Sequence, residues 1–410
     1  MDPADLPLLS VRSPADLLAA VPYLLGFHPA DSLVVVALRE KRVVFVARAD
    51  LPDGSVRPFP PDLSLPPDLA MSGGQSGGDT LSGIAAAARE VAKYITEVVT
   101  RQDADAAVVV GYGPAERVTP AVDAVRPALE IAGLLVLDVL RVTDRRYWSY
   151  FCVTPECCPP EGNRYDPTAS PIAAAATFAG KVALPDRATL VRQVAPVDGP
   201  VRESMHQATR RAQSRAATLI NAAPSADLLG ERALGRAGES AIRTAMERQR
   251  TGGRLTDDEA AWLSVLLTHL PVRDHAWERT DDVDWHQTLW LDLTRRAEPG
   301  LVAAPASLLA FAAWRSGDGA LAAVAVERAL RDQPDYSLAL LLGEILHNGV
   351  QPSTLDGWPG GPAGDPGTEH GPYRRRPGRH RSPRDARNRD SRHRAARNRA
   401  SQRRSRPSVS

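Results

Sequence analysis

At 410 residues, 43% of them hydrophobic, the chain is too long for one ordinary core and apolar enough to fill about two. Its formal net charge of +1 conceals a division: from Arg374 to Arg406 fifteen arginines stand against Asp385 and Asp390, giving +13, while the remaining 35 basic and 47 acidic residues give −12. No apolar run approaches the ~20 residues of a membrane helix, and the first ten residues lack the basic and apolar regions of a secretory signal, so the expected compartment is the cytosol.

Ser13-Pro14-Ala15-Asp16 reads as a helix start, with Ser13 as cap and Pro14 at the first position, where a missing N–H costs nothing. Gly26-Phe27-His28-Pro29 ends that helix. Leu33 to Leu38 and Val43 to Arg48 are β-branched runs on either side of a polar turn, a hairpin. Leu51 to Asp79 is rich in proline and glycine and is expected to be a long mobile surface loop. An amphipathic helix follows from about Thr80 to Thr100, with Ile84, Ala88, Val91, Ile95 and Val98 on one face. Ala106 to Tyr112 is a strand, Val118 to Ala132 a helix and Leu134 to Val142 a second strand, which together predict a parallel βαβ unit with a right-handed crossover. Tyr147 to Val153 then adds an antiparallel strand after the turn at Thr143 to Arg146.

Beyond Gly162 the periodicity is helical. Ala169 to Ala179 and Asp186 to Val194 are short helices, Thr256 to Glu259 is a capping box, and Pro271 closes the helix it opens. Pro305 to Pro334 reads as two helices broken at Gly317-Asp318-Gly319, with small residues Ala310, Ala322 and Ala329 spaced as in a tetratricopeptide repeat. A solenoid needs about three stacked units, so one helical hairpin within an all-α domain is expected. Past Gln351 the chain is Gly/Pro-rich and then Arg-rich, with nothing to bury, and is expected to be disordered. The predicted organisation is an α/β N-terminal domain with a mixed sheet over residues 1–165, an all-α domain with a tetratricopeptide-like hairpin over 166–352, and a basic tail over 353–410.

Three sets of residues carry a resemblance. Pro22 to Val34 (PYLLGFHPADSLV), Tyr147 to Cys152 with Cys157-Cys158-Pro159 and Glu161-Gly162, and Val272-Arg273-Asp274 stand in an order that resembles an uncharacterised family of actinobacterial proteins, domain of unknown function 4192. The resemblance spans roughly Leu9 to Pro352 and implies a fold unit, with no activity, cofactor or partner attached.

The first candidate site is Gly111-Tyr112-Gly113-Pro114, where a strand turns toward a helix. An α/β sheet commonly places ligands at such a turn, and Asp138 on the next strand stands roughly where a dinucleotide fold carries its ribose-binding acid. No third glycine completes the G-x-G-x-x-G pattern, so a tight turn requiring positive φ competes with cofactor binding and is favoured over it. The glycine-rich Ser72 to Thr80 lacks the Lys of a phosphate loop and is read as linker.

The second candidate lies where four aromatic residues fall within five positions, Tyr147 to Phe151, of a chain that is 5% aromatic. Cys152, Cys157 and Cys158 follow with C-x4-C-C spacing. Three cysteines are one short of a structural zinc set and no histidine is nearer than His206, so buried cysteines acting as small hydrophobes at a structural seam are favoured, with a metal or thiol role as the alternative. Asp274-His275 and Asp284-Trp285-His286 are general acid–base candidates only if the fold brings the pairs face to face, and Arg273-Asp274 reads better as an ion pair. The Arg-rich tail suits weak, salt-sensitive contact with polyanions. The leading functional expectation is a noncatalytic binding or regulatory protein that offers a partner groove on its helical hairpin. The alternative is a small-molecule or nucleotide-binding α/β domain or an enzyme, with its pocket near Tyr112 and its cofactor unspecified.

Overall fold

The structure is a computed structural model that describes residues 13–52, 79–224, 227 and 230–355, all within one compact unit. Most of the expected loop at 51–79, including the glycine-rich stretch before Asp79, and the basic tail from residue 356 lie outside the described residues.

The first helix, α1 (Pro14–Leu25), is capped as its sequence requires: the Ser13 hydroxyl accepts from the Asp16 N–H at 3.2 Å, and Gly26 in the left-handed region ends it. β1 (Ser32–Arg39) and β2 (Arg42–Asp50) form the hairpin. Next come α2 (Asp79–Thr100), β3 (Ala106–Tyr112), α3 (Ala115–Ile131), β4 (Leu135–Thr143), β5 (Arg146–Ser149) and β6 (Asn163–Arg164). The sheet order is β2-β1-β3-β4-β5-β6, with β3 and β4 the parallel pair and the other neighbours antiparallel.

Strand alternation divides the apolar side chains between two cores. Leu33, Val35, Ala107 and Val109 face α2 and α3, whereas Val34, Val36, Val108, Val110 and Tyr112 face α1. Coverage on both sides explains why β1 and β3 read as unbroken apolar runs rather than as alternating ones. β5 is shorter than its aromatic run predicts. The Ser149 hydroxyl accepts the N–H groups of Phe151 and Cys152 at 3.1 and 3.3 Å, and this pulls the chain out of the sheet. The chain returns as the two-residue β6, which is too short to leave a periodic signal.

The helical part comprises α4 (Pro171–Phe178), α5 (Arg187–Gln193), α6 (Gly199–Asn221), α7 (Glu231–Arg250), α8 (Asp257–Leu266), α9 (Leu270–Trp277), α10 (Asp284–Arg296), α11 (Ala303–Arg315), α12 (Gly319–Asp332) and α13 (Ser337–His347). The capping box forms, Thr256 and Glu259 each satisfying a backbone donor of the other. Pro271 opens α9 instead of merely stopping α8, because a proline in the first turn needs no N–H partner. The hairpin of α11 and α12 is present, and Ala310, Ala322 and Ala329 are fully buried in it. Residues 303–314 of α11 are buried without interruption, with α10, α12 and α13 packed around them, so the inner surface of the hairpin is already occupied.

The α/β and helical parts are joined through named contacts. Phe27 leaves α1 and enters the helical core, the His28 N–H donates to Leu184 O at 2.9 Å, and the Leu184 N–H donates to Gly26 O at 2.8 Å. Farther along, buried Gln102 donates to Gly349 O at 2.9 Å and Tyr94 stacks on His347. No helix among the described residues is long and apolar enough to cross a membrane.

Candidate functional site

The strand-to-helix turn after β3 borders a crevice of about 360 Å³ at the carboxyl ends of β3 and β4. One wall is the Tyr112-Gly113-Pro114 turn, another is the segment from His28 to Asp31, and the β4–β5 turn with Tyr165 forms the third. The glycines of the turn are there for backbone reasons. A Cβ on Gly111 would lie 2.2 Å from the Val118 side chain of α3, and Gly113 has φ +147°. Strand and helix therefore meet at closest approach where the crevice opens. Across its mouth Asp31 pairs with Arg117, which also donates to Leu51 O at 3.3 Å.

Tyr112 is the most deeply buried aromatic side chain of the lining. Its ring packs in the core under α1, yet its buried hydroxyl has no hydrogen-bond partner among the described residues. Burial, with a smaller contribution from Tyr165, holds its phenol well above the ordinary value, so the group is a protonated donor. Burial also lowers His28, favouring the neutral ring. A second depression, of about 400 Å³, is lined by Gln207, Arg210, Arg211 and Ser214, all from α6, and one helix face does not enclose a ligand.

Asp138 is not in this crevice. It lies in the middle of β4 opposite Val108, and its carboxylate accepts from the Ser149 hydroxyl at 2.6 Å and from the Val139 N–H at 2.8 Å. Ser149 in turn holds the backbone at Phe151 and Cys152, so Asp138 anchors the cysteine loop rather than a ribose.

That loop gathers all three thiols. The sulfurs of Cys152 and Cys157 are 3.3 Å apart and those of Cys157 and Cys158 are 3.9 Å apart, with all three within 4.8 Å of one another. Cys157 is exposed and its two neighbours are half-buried, so packing as small hydrophobes does not describe them. Hydrogen bonding from the Thr154 backbone lowers the Cys152 thiol, while partial burial pushes Cys158 up to about 11. The loop is held from outside. Arg146 donates to the carbonyls of Glu161 and Gly162 at 3.1 and 2.9 Å, Trp148 Nε1 to Pro160 O at 2.9 Å, and Asn163 to Cys157 O at 2.8 Å. Gly162 is needed twice over, since it has φ +78° and a Cβ there would lie 2.5 Å from the Trp148 ring.

A family model described as "Domain of unknown function (DUF4192)" matches residues 14–353, well over half of the chain. The chain belongs to this family. No curated protein and no solved structure matches it.

In this DUF4192 chain the family-like motifs converge on the features just described. Gly26 to Ser32 supplies the junction residue Phe27 and one crevice wall, and buried Ser32 is fixed by two bonds from Arg48 at 3.0 and 2.8 Å. Arg273 and Asp274 form the expected ion pair, on α9 at the surface of Tyr336. The acid–base candidates do not assemble. His286 accepts the backbone N–H of Asp281 at 2.9 Å and packs on Trp285, while His275 contacts Arg279. Arg145 and Tyr165 were missing from the sequence reading of the crevice, because only the fold of β5 and β6 returns them beside Tyr112. His28 and Asp31 stood in a quoted motif, whose Gly-Phe-His-Pro-Ala-Asp-Ser clustering was their signal.

Proposed function

We propose that this DUF4192 protein is a cytosolic small-molecule-binding protein whose α/β part takes a compact metabolite in the crevice above Tyr112. The observation that carries this reading is the crevice itself, lined by Tyr112, whose hydroxyl is buried, protonated and without a partner among the described residues. A buried polar group left unsatisfied costs about 1–3 kcal/mol. A ligand that accepts from this hydroxyl recovers that cost on binding.

The walls narrow the chemistry. The Tyr112 and Tyr165 rings and Pro22, Pro29 and Pro114 suit a flat apolar body, and His28 and Arg145, with Asp31 and Asp144, suit polar substituents at its edge. A volume of about 360 Å³ is at the lower end for ligand sites and suits a single-ring metabolite better than a dinucleotide. A protein partner would use the outer helical faces, because α11 is enclosed. Polyanion contact would belong to residues 374–406, outside the described residues.

A thermal-shift screen of single-ring metabolites and mononucleotides at millimolar concentration tests the reading. A hit should stabilise the wild type and lose its effect in Tyr112→Phe. A screen without hits, or a hit that stabilises both proteins equally, would overturn it.

A further inference from the structure

We infer that Cys152, Cys157 and Cys158 form a three-thiolate site for a thiophilic divalent cation of the zinc class, with its fourth coordination position open to solvent or to an exogenous ligand. The geometry is the first support. Zinc–sulfur bonds of about 2.3 Å at tetrahedral angles place neighbouring sulfurs about 3.8 Å apart. The 3.3 and 3.9 Å separations here bracket that spacing, and all three sulfurs fall within 4.8 Å of one another. No histidine or carboxylate among the described residues joins the set, so none of them fills the fourth position.

The second support is how the thiols are brought together. Cysteines that gather by burial need apolar surroundings, yet Cys157 is exposed and the adjacent Val153 is 90% exposed. Directed hydrogen bonds do the gathering instead. Thr154 O accepts the N–H groups of both Cys157 and Cys158, at 3.1 and 2.8 Å, turning the vicinal pair back toward Cys152. Asp138, through Ser149, fixes the Cys152 backbone from the other side. A polar outer layer of this kind is what orients ligands around an ion. It also accounts for the half-buried carboxylate on β4, which is not in the crevice. On binding, three S–H bonds are replaced by three sulfur–metal bonds, the protons pass to solvent, and no electrons are transferred.

The alternative use of two sulfurs 3.3 Å apart is a Cys152–Cys157 disulfide, and the experiment separates the two. The full chain, without an affinity tag that binds metal, is purified under reducing conditions from medium supplemented with zinc, and metal and free thiol are counted. The site predicts close to one zinc per chain, with three thiols that react with a disulfide reagent only after chelation. Substitution with cobalt(II) should give thiolate-to-metal charge-transfer absorption and a tetrahedral d–d band. Cys157→Ser should weaken binding by roughly a hundredfold or more, and Ser149→Ala, which alters no ligand, by roughly ten- to a hundredfold. Should Cys157→Ser fail to fold, the wild-type cobalt spectrum and zinc count decide alone. Zinc well below stoichiometric with no thiolate band overturns the site, as does a Cys152–Cys157 disulfide persisting in the protein under the conditions used for loading.

Discussion

Replacing Tyr112 by phenylalanine removes one oxygen and leaves the rest of the side chain in place. In the unliganded protein that oxygen is buried and has no partner among the described residues. Its loss removes a desolvation penalty of about 1–3 kcal/mol and sacrifices no protein hydrogen bond. The ring itself is 6% exposed and packs with Leu17, Leu18 and Val110, contacts that phenylalanine keeps. Tyr112→Phe should therefore be more stable than the wild type by about 1 kcal/mol, a value at the low end because a small cavity is left where the oxygen stood. Urea unfolding followed by circular dichroism measures this as a higher midpoint at unchanged slope. A variant destabilised by 1 kcal/mol or more would show that the hydroxyl is well satisfied in solution, and the argument for a ligand in the crevice would fail with it. The combination of a gain in stability and a loss of ligand response is the signature of a group retained for binding.

Other sites test the rest of the structure. Arg296, 2% exposed, spans Leu255 O, Asp257 and Asp292, so Asp292→Ala leaves a buried guanidinium short of its counter-charge and should cost about 3 kcal/mol in the same unfolding assay. Thr256→Ala breaks the capping box of α8 and should cost about 1 kcal/mol. Gly162→Ala drives a Cβ into the Trp148 ring at a positive-φ position and should cost about 2 kcal/mol or more. That variant should also raise amide exchange across residues 150–165 while α7 and α8 are unaffected. Burial holds the pKa of His286 below the ordinary histidine value. The unfolded chain then binds the proton more readily, so the contribution of this residue is complete above about pH 6.5 and is lost as pH falls below it. Unfolding free energies measured from pH 8 to pH 5 should decline over that range, and the decline should be smaller in His286→Gln.

Much of the fold was legible because its strongest signals are local. β1, β3 and β4 follow from β-branched runs, α2 from its apolar face, and α8 from a capping box that specifies its own first turn. The place of the crevice was legible for the same reason: a parallel strand feeding a helix leaves its turn at the carboxyl end of the sheet, and Tyr112 is the large side chain that ends β3 there. Asp138 stands away from the crevice although the end of its strand was foreseen to within a residue, because the sequence does not say which neighbour its carboxylate meets. The strand runs on to Thr143, and Ser149 on β5 claims the acid. The convergence of the cysteines was illegible because it depends on Ser149 ending β5 early and on Thr154 O turning the loop, neither of which leaves a periodic trace. Phe27 was equally opaque. Nothing in its neighbourhood distinguishes an aromatic side chain that enters the helical core from one that stays under α1.

Amide hydrogen exchange of the full chain, with and without a hit from the metabolite screen, addresses the central claim most directly. Ligand in the crevice predicts slower exchange confined to residues 28–31, 112–113 and 142–145 and to Tyr165, which form the crevice walls. Protection centred on α6 or on the outer helical faces, with those residues unchanged, would contradict it.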